Sequence, residues 1–171
     1  LTPPATPEIG RQMLNAEPAR SRIQTQKEYG IPADEEGMVP WNRVVEQLQS
    51  ARNFWLVTVR PDGRPHAVPV WGVWVDGTLH FGMGRLTRKA RNLAANPKVV
   101  VHLDSSDDVV IIEGVAAEVT DAALQTRIDD AYEAKYSIRH GTPVFALLPA
   151  VVFAWGADYP KSTTRWVFSG D

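Results

Sequence analysis

A short basic segment after two glycines has the residue types and spacing of a phosphate site. Thr87, Arg88 and Lys89 follow Gly82–Gly84, and no acidic residue occurs from 77 to 103. If a helix begins here, its first N–H groups are unpaired and its dipole is positive at that end, so both favour an anion. Thr87 suits the N-cap position, or its hydroxyl binds the anion directly. The segment therefore predicts a phosphate site; a solvated basic helix face is the alternative.

Residues 82–87, GMGRLT, approach the dinucleotide-binding pattern G-x-G-x-x-G. That pattern binds pyrophosphate within a parallel βαβ unit, where a helix crosses between neighbouring strands. Here tight turns join the neighbouring apolar runs, and threonine replaces the third glycine. The sequence therefore argues against a dinucleotide-binding fold.

The apolar run from 65 to 75 reads as one strand, yet it contains Pro65, Pro69 and Gly72. Proline cannot donate a hydrogen bond to a neighbouring strand, so this strand must have an edge or a bulge near Pro69. Backbone groups left free there suit a planar heterocycle. A plain edge strand, with the glycine easing a tight bend, is the alternative.

No other set of residues has the composition of a catalytic or metal site. The chain has no cysteine, which excludes disulfides, thiolate catalysis and cysteine-ligated metals. The four histidines lack metal-binding spacing, and no Ser-His-Asp or Glu-His arrangement is evident. The tryptophans lie mostly in predicted strands and are expected in the core. A cofactor that carries the chemistry fits this pattern, and no proton donor can be named.

Length and charge describe an ordinary globular chain. It has 171 residues, of which 44% are hydrophobic and 22% charged, with a net charge of −2. This length suffices for one domain with a full core. The near-neutral charge predicts no nucleic-acid partner. No apolar run approaches the roughly 20 residues of a membrane helix and no signal pattern begins the chain, so no membrane partner and a cytoplasmic location are expected.

Hydrophobic periodicity predicts a mainly β domain at 41–171 after an arm at 1–40. The arm holds six of the 13 prolines and is expected to be extended or partly disordered, with one weak amphipathic turn around Ile9. Period-two runs joined by turns, among them Asp76-Gly77, predict at least six strands, including one over 150–155. Helices are predicted from Trp41, after Thr87 and from Asp121. This α+β pattern is typical of an antiparallel barrel with peripheral helices.

Four segments carry a resemblance to a known family: LVTVRPDGRPHAVPVWGVWVDG, LHFGMGRLTRKARNLAANPKVVVHL, VVIIEGVAAEV and a closing AW…TRWVF. From about Trp41 to Gly170 the chain resembles the pyridoxamine 5′-phosphate oxidase-like split β-barrel superfamily, and within it the branch of F420-dependent oxidoreductases. The resemblance implies an antiparallel split β-barrel of six to seven strands, of the FMN-binding type. It also implies a homodimer with a flavin-type cofactor at the subunit interface.

The same resemblance implies roles for particular residues. Thr87, Arg88 and Lys89 correspond to the residues that hold the cofactor phosphate, in agreement with the helix-start argument. Met83 and Gly84 correspond to contacts of the ribityl chain.

The cofactor ring is expected along Val68, Pro69, Val70 and Trp71, in agreement with the edge-strand argument. Trp155 and Arg165 resemble a Trp/Arg pair that the partner subunit contributes in the oxidase. The residues with which the oxidase binds pyridoxal phosphate are not recognisable, so that activity is not predicted.

Three functions remain open. The first is an F420-dependent oxidoreductase that transfers a hydride from the reduced deazaflavin to a small conjugated acceptor, such as a quinone, an enone or a tetrapyrrole. Arg85 and Arg91 would then face the oligoglutamate tail of F420. The second is an FMN-dependent oxidoreductase of the same family. The third is a non-catalytic protein that binds F420, a flavin or haem.

Overall fold

The computed structural model describes residues 18–168. It contains nine strands, three α-helices and a short 3₁₀ helix at Lys27–Tyr29. The strands are β1 (Ala19–Ser21), β2 (Phe54–Val59), β3 (Pro65–Val70), β4 (Gly72–Val75), β5 (Thr78–Gly82), β6 (Lys98–His102), β7 (Val109–Glu118), β8 (Val144–Trp155) and β9 (Thr164–Val167). The helices are α1 (Trp41–Ser50), α2 (Arg88–Ala95) and α3 (Ala122–Tyr136). The amphipathic turn predicted around Ile9, Met13 and Leu14 lies outside the described residues.

All strand pairs are antiparallel, and together they form the predicted split barrel. Seven strands follow the order β1-β9-β8-β7-β6-β2-β3, and β5 attaches the β4–β5 hairpin to the first part of β8. The ladder is not closed, because β3 pairs with β2 whereas β4, which follows it in the chain, pairs with β5. The largest fully buried side chains include Trp166, Phe54, Phe81, Leu56 and Leu147.

The prediction of a single strand over 65–75 is wrong, because the strand is interrupted at Trp71. This residue separates β3 from β4, and the chain changes its pairing partner there. Gly72 has little room around it, since a Cβ atom at this position would lie 3.1 Å from the backbone oxygen of His80 and 3.1 Å from the Phe54 side chain. The opening in the barrel is therefore located at Trp71.

The Asp76-Gly77 hairpin turn is confirmed. Both residues have positive φ angles, 50° and 74°, as a type I′ turn requires, and glycine adopts this conformation without steric cost. The turn sets the register of β4 on β5, with Val75 opposite Thr78.

Strand β8 is longer than the predicted 150–155, because it begins at Val144. Pro149 lies within the apolar run of this strand. In the structure Pro149 lies opposite Gly114, where the register shifts and Ala150 is the extra residue of a bulge in β8. A bulge tolerates a residue without an N–H group, so the strand continues through the proline.

The three predicted helices are confirmed and lie around the sheet. Helix α1 buries Val44 and Leu48, as its apolar spacing predicts. In α3 the Asp121 carboxylate accepts a hydrogen bond from the backbone N–H of Leu124 at 2.6 Å, which confirms the cap. Within residues 18–168 no helix is both long and apolar enough to span a membrane.

The described part of the arm, residues 18–40, is attached to the sheet. Strand β1 pairs with β9. The Arg22 guanidinium donates to the backbone oxygens of Asp34 (2.6 Å), Glu36 (2.7 Å) and Thr163 (3.2 Å), and also to that of Lys161. One side chain therefore ties two segments of the arm to the loop between β8 and β9.

His80 is the one buried histidine among the described residues, with 2% of its surface exposed, and its Nδ1 atom has no hydrogen-bond partner. Burial lowers its pKa from 6.5 to about 4. Between these two pH values the unfolded chain therefore carries a proton on His80, whereas the folded chain does not. The stability contributed by the neutral imidazole is complete above about pH 6.5 and is lost as the pH falls towards 4.

We expect His80→Leu, which has a similar side-chain volume, to reduce the acid sensitivity of the fold. Lowering the pH from 7 to 5 should cost the parent protein about 2 kcal/mol through this group, at about 1.4 kcal/mol per pH unit below 6.5. Urea unfolding at both pH values measures the difference. An equal loss in the parent and the variant would show that His80 does not carry it.

Candidate functional site

The start of α2 has the geometry of an anion site. Thr87 is its N-cap, and the threonine Oγ1 accepts from the backbone N–H of Ala90 (3.3 Å) and donates to the backbone oxygen of Gly84 (2.8 Å). The Thr87 hydroxyl therefore uses both its donor and its acceptor capacity within the chain. It acts as the helix cap and does not bind the anion directly. In the described chain the N–H groups of Arg88 and Lys89 have no backbone acceptor, so they remain available.

The cations near this helix start differ in whether they are paired. Arg85 forms a two-point ion pair with the Glu118 carboxylate, with distances of 2.6 and 3.2 Å. Arg88, Lys89 and Arg91 form no ion pair with any residue of 18–168. Three uncompensated positive charges within four residues favour a polyanionic ligand.

Two further basic residues belong to this site, and sequence reasoning missed both. His66 on β3 has its pKa lowered by partial desolvation and by the charges of Arg60, Lys89 and Arg88. The Arg60 Nε and His66 Nδ1 atoms are buried and have no hydrogen-bond partner. Buried polar atoms without partners are rare and suggest a missing ligand. We call Arg60, His66, Arg88, Lys89 and Arg91 the basic cluster.

A buried amide holds α2 in place against the barrel. The Asn92 side chain donates from Nδ2 to the Thr58 hydroxyl on β2 at 2.9 Å, and both residues are completely buried. Thr58 lies opposite His66 in the β2–β3 register. This contact therefore fixes the position of the helix start relative to His66 and to β3.

The residues predicted to contact the cofactor ring lie along an edge strand. Among the described strands β3 pairs only with β2, which confirms the edge that Pro69 predicted. Val68 is half-buried, Val70 is buried, and Pro69 and Trp71 are exposed. The strand therefore presents both side chains and unpaired backbone on the side where the barrel opens.

The residues predicted to contact the ribityl chain lie in the turn before α2. Gly84 is exposed, and its backbone oxygen accepts from the N–H of Thr87 at 3.0 Å. The Met83 side chain is buried in the core, with 3% of its surface exposed, so only its backbone faces the turn.

Trp155 and Arg165 do not join this site within one chain. Trp155 lies opposite Val109 at the first residue of β7, whereas Glu118 at the last residue of β7 contacts Arg85. The two ends of this ten-residue strand are about 30 Å apart, at about 3.3 Å per residue. Within one chain Trp155 therefore lies far from the turn that leads into α2.

Two tyrosines of α3 bridge the opening of the barrel. The Tyr132 hydroxyl donates to the backbone oxygen of Trp71 at 2.9 Å and accepts from the N–H of Gly82 at 3.1 Å. The Tyr136 hydroxyl lies 2.7 Å from the backbone oxygen of Arg52, and 2.8 and 3.1 Å from the oxygen and nitrogen of Gly72. Burial raises the pKa of both phenols, so they remain protonated. The sequence predicted these two tyrosines only as parts of the helix that follows Asp121.

His140 packs directly on Gly82, at the end of β5. A Cβ atom at Gly82 would lie 2.1 Å from the imidazole ring, so any larger residue here would displace His140. The ring centroids of His140 and Tyr132 are 5.1 Å apart. This packing holds the chain that leads from β5 into the turn at Gly84.

Taken as donors and acceptors, these residues fit a ligand with a phosphate and a planar ring. The basic cluster and the α2 N–H groups supply donors for phosphate oxygens, and the open edge of β3 supplies backbone groups for a heterocycle. Within residues 18–168 no group of three or more His, Asp or Glu side chains is placed to hold a metal ion.

The family model for pyridoxamine 5′-phosphate oxidase matches residues 41–156. The chain therefore belongs to this family, whose members have the split barrel described above. No curated protein matches the sequence significantly.

Solved structures show the same fold at low sequence identity. The conserved hypothetical protein Rv2991 from Mycobacterium tuberculosis has a TM-score of 0.62 at 22% identity, over 72% of this chain and 89% of its own. A pyridoxamine 5′-phosphate oxidase described as putative, from Listeria innocua, has a TM-score of 0.57 at 22% identity, over 66% and 95%. A heme binding protein from Mycobacterium smegmatis has a TM-score of 0.57 at 22% identity, over 71% and 55%.

We expect Tyr132→Phe to destabilise the protein by about 1–3 kcal/mol, because it leaves the Trp71 oxygen and the Gly82 N–H without a partner at the opening. Urea unfolding monitored by tryptophan fluorescence measures the loss. Tyr29→Phe is the matched control, since Tyr29 is 54% exposed and the same change there should have little effect. Equal stabilities of the two variants would show that the bridge contributes nothing.

Proposed function

We propose that the protein is an F420-dependent oxidoreductase, which transfers a hydride from the reduced deazaflavin to a small conjugated acceptor. The observation that carries the proposal is the excess of unpaired positive charge in the basic cluster. One phosphate carries at most two negative charges, whereas Arg60, Arg88, Lys89 and Arg91 supply four positive ones that form no ion pair within residues 18–168. A phosphate followed by an oligoglutamate tail matches that charge better than a phosphate alone.

Each part of the site has a role in holding such a cofactor. Thr87 fixes the helix start, Arg88 offers a forked guanidinium and Lys89 a point charge. The edge of β3 from Val68 to Trp71 receives the ring. When bound, a reduced deazaflavin or flavin supplies the hydride; the chain supplies position and charge.

We further propose that the protein acts as a homodimer with the site completed by the partner. Trp155 lies at one end of β7 and Glu118, the partner of Arg85, lies at the other end, about 30 Å away. This supports the proposal, as does the outer face of the sheet. There Val57, Val100, Ile111 and Phe153 are incompletely buried on successive strands. An apolar face of this kind is typical of a subunit interface. A monomeric mass by light scattering would contradict the dimer.

One observation favours FMN as the second candidate. Arg85, predicted to face the oligoglutamate tail, is already paired with Glu118 at 2.6 Å. If Arg85 stays paired with Glu118 when the cofactor binds, less positive charge remains for an oligoglutamate tail. A cofactor with a single phosphate then matches the remaining charge. FMN would then occupy the same helix start and the same edge strand.

We expect Arg88→Ala combined with Lys89→Ala to weaken binding of either cofactor at least about a hundredfold. Each lost charge-assisted hydrogen bond contributes about 1.5–3 kcal/mol. Quenching of the fluorescence of the six tryptophans measures binding. Lys98→Ala is the control, because Lys98 is exposed on β6 and outside the basic cluster. Unchanged affinity in a folded double variant would place the phosphate elsewhere.

Parallel titrations with F420 and FMN decide between the two cofactors. We expect tighter binding of F420, with a steeper salt dependence than for FMN, because more charges are paired. Arg91→Ala should weaken F420 several-fold and leave FMN unchanged. Equal effects on both cofactors would contradict a role for Arg91 with the tail. Binding of F420 without turnover of a conjugated acceptor would identify a carrier protein and overturn the enzyme proposal.

A further inference from the structure

A second group of cations lies against the exposed tryptophan at the barrel opening. The Trp71 and Tyr136 rings stack with centroids 4.7 Å apart and planes 6° apart. Trp71 remains 41% exposed, so the face away from Tyr136 is open to a ligand. The Arg52 guanidinium lies 6.0 Å from the Trp71 ring and 5.5 Å from the Tyr136 ring. Together with Lys135 these residues form what we call the cation–aromatic cluster.

Lys135 places a second positive charge beside the first. Its Nζ lies 5.4 Å from the Tyr136 ring and 5.3 Å from the Phe54 ring, and donates to the backbone oxygen of Gly72 at 3.0 Å. Burial, and then the charge of Arg52, lower the pKa of this lysine. The exposed guanidinium of Arg52 therefore repels the half-buried ammonium of Lys135.

No carboxylate in the described chain compensates these two charges. The ion pairs within 18–168 involve other arginines, and neither Arg52 nor Lys135 takes part in one. The fold does not require the lysine charge for its hydrogen bonding, because the oxygen of Gly72 also contacts the Tyr136 hydroxyl at 2.8 Å. Uncompensated cations beside an open aromatic face are the chemistry that recognises a planar anion.

We propose that the cation–aromatic cluster binds the carboxylate of a planar conjugated molecule, whose ring stacks on the free face of Trp71. Trp71 directly follows β3 and is the last of the four residues assigned to the cofactor ring, so a ligand held here lies at the end of the cofactor groove. Resting on the proposed function, this inference narrows the acceptor to conjugated carboxylates and disfavours neutral quinones. Arg52 provides the main charge contact because it is exposed, and Lys135 adds to the local positive potential.

The test compares 2-naphthoate with 2-naphthalenemethanol, a neutral molecule with the same ring system, by calorimetric titration of the cofactor-free protein. We expect naphthoate to bind about tenfold or more tightly, as one charge-assisted hydrogen bond implies. Arg52→Gln should abolish this preference, and Trp71→Leu should weaken both ligands. Lys135→Met should reduce the preference in part.

Arg127→Gln is the matched control, because Arg127 lies on α3 with its charge paired to Asp76 at 2.7 Å; it should leave both affinities unchanged. Equal affinity for the two probes, or an unchanged preference in folded Arg52→Gln, would overturn the proposal. So would a preference that disappears in the Arg88→Ala/Lys89→Ala variant instead, since naphthoate would then occupy the basic cluster. Because no cofactor is present, a failed F420 titration leaves this result intact, and the two proposals fail separately.

Discussion

The two tyrosine hydroxyls of α3 are the contacts on which the site depends most. A barrel whose ladder is interrupted leaves backbone groups without strand partners, and such groups destabilise a fold when they are buried. Tyr132 joins Trp71 to Gly82, and Tyr136 joins Arg52 to Gly72. The opening therefore remains a fixed feature of the fold, and the residues on either side of it keep their relative positions.

The cations of the described chain are of two kinds. Some arginines form surface ion pairs such as Arg127–Asp76 and Arg139–Asp130, which contribute little to stability. The cations of the basic cluster and of the cation–aromatic cluster have no carboxylate partner in the described chain. A net charge of −2 thus conceals two local positive fields, on either side of the strand assigned to the cofactor ring. Binding chemistry here depends on how charge is distributed, because the total is close to zero.

Local patterns predicted most of the fold but only part of the site. Periodicity, the Asp121 cap and the Asp76-Gly77 turn are local properties, so the helices and hairpins could be predicted. The break at Trp71 could not, because it depends on crowding around Gly72 by residues distant in sequence. His66 lies at the site because of the β2–β3 register. Arg85 is not available to a ligand because it is paired with Glu118, 33 residues away. Long-range pairing of charges leaves no signal in a single sequence.

The two prolines of β3 have a consequence for self-association. Because proline has no N–H group, Pro65 and Pro69 suit the side of the strand turned away from β2. Alternate residues share a side, so Ala67 is the one residue between them whose N–H points the same way. A strand from another molecule would find carbonyl oxygens along this edge but few donors, and could not extend the sheet. The edge can therefore stay open for a small ligand without becoming a template for aggregation.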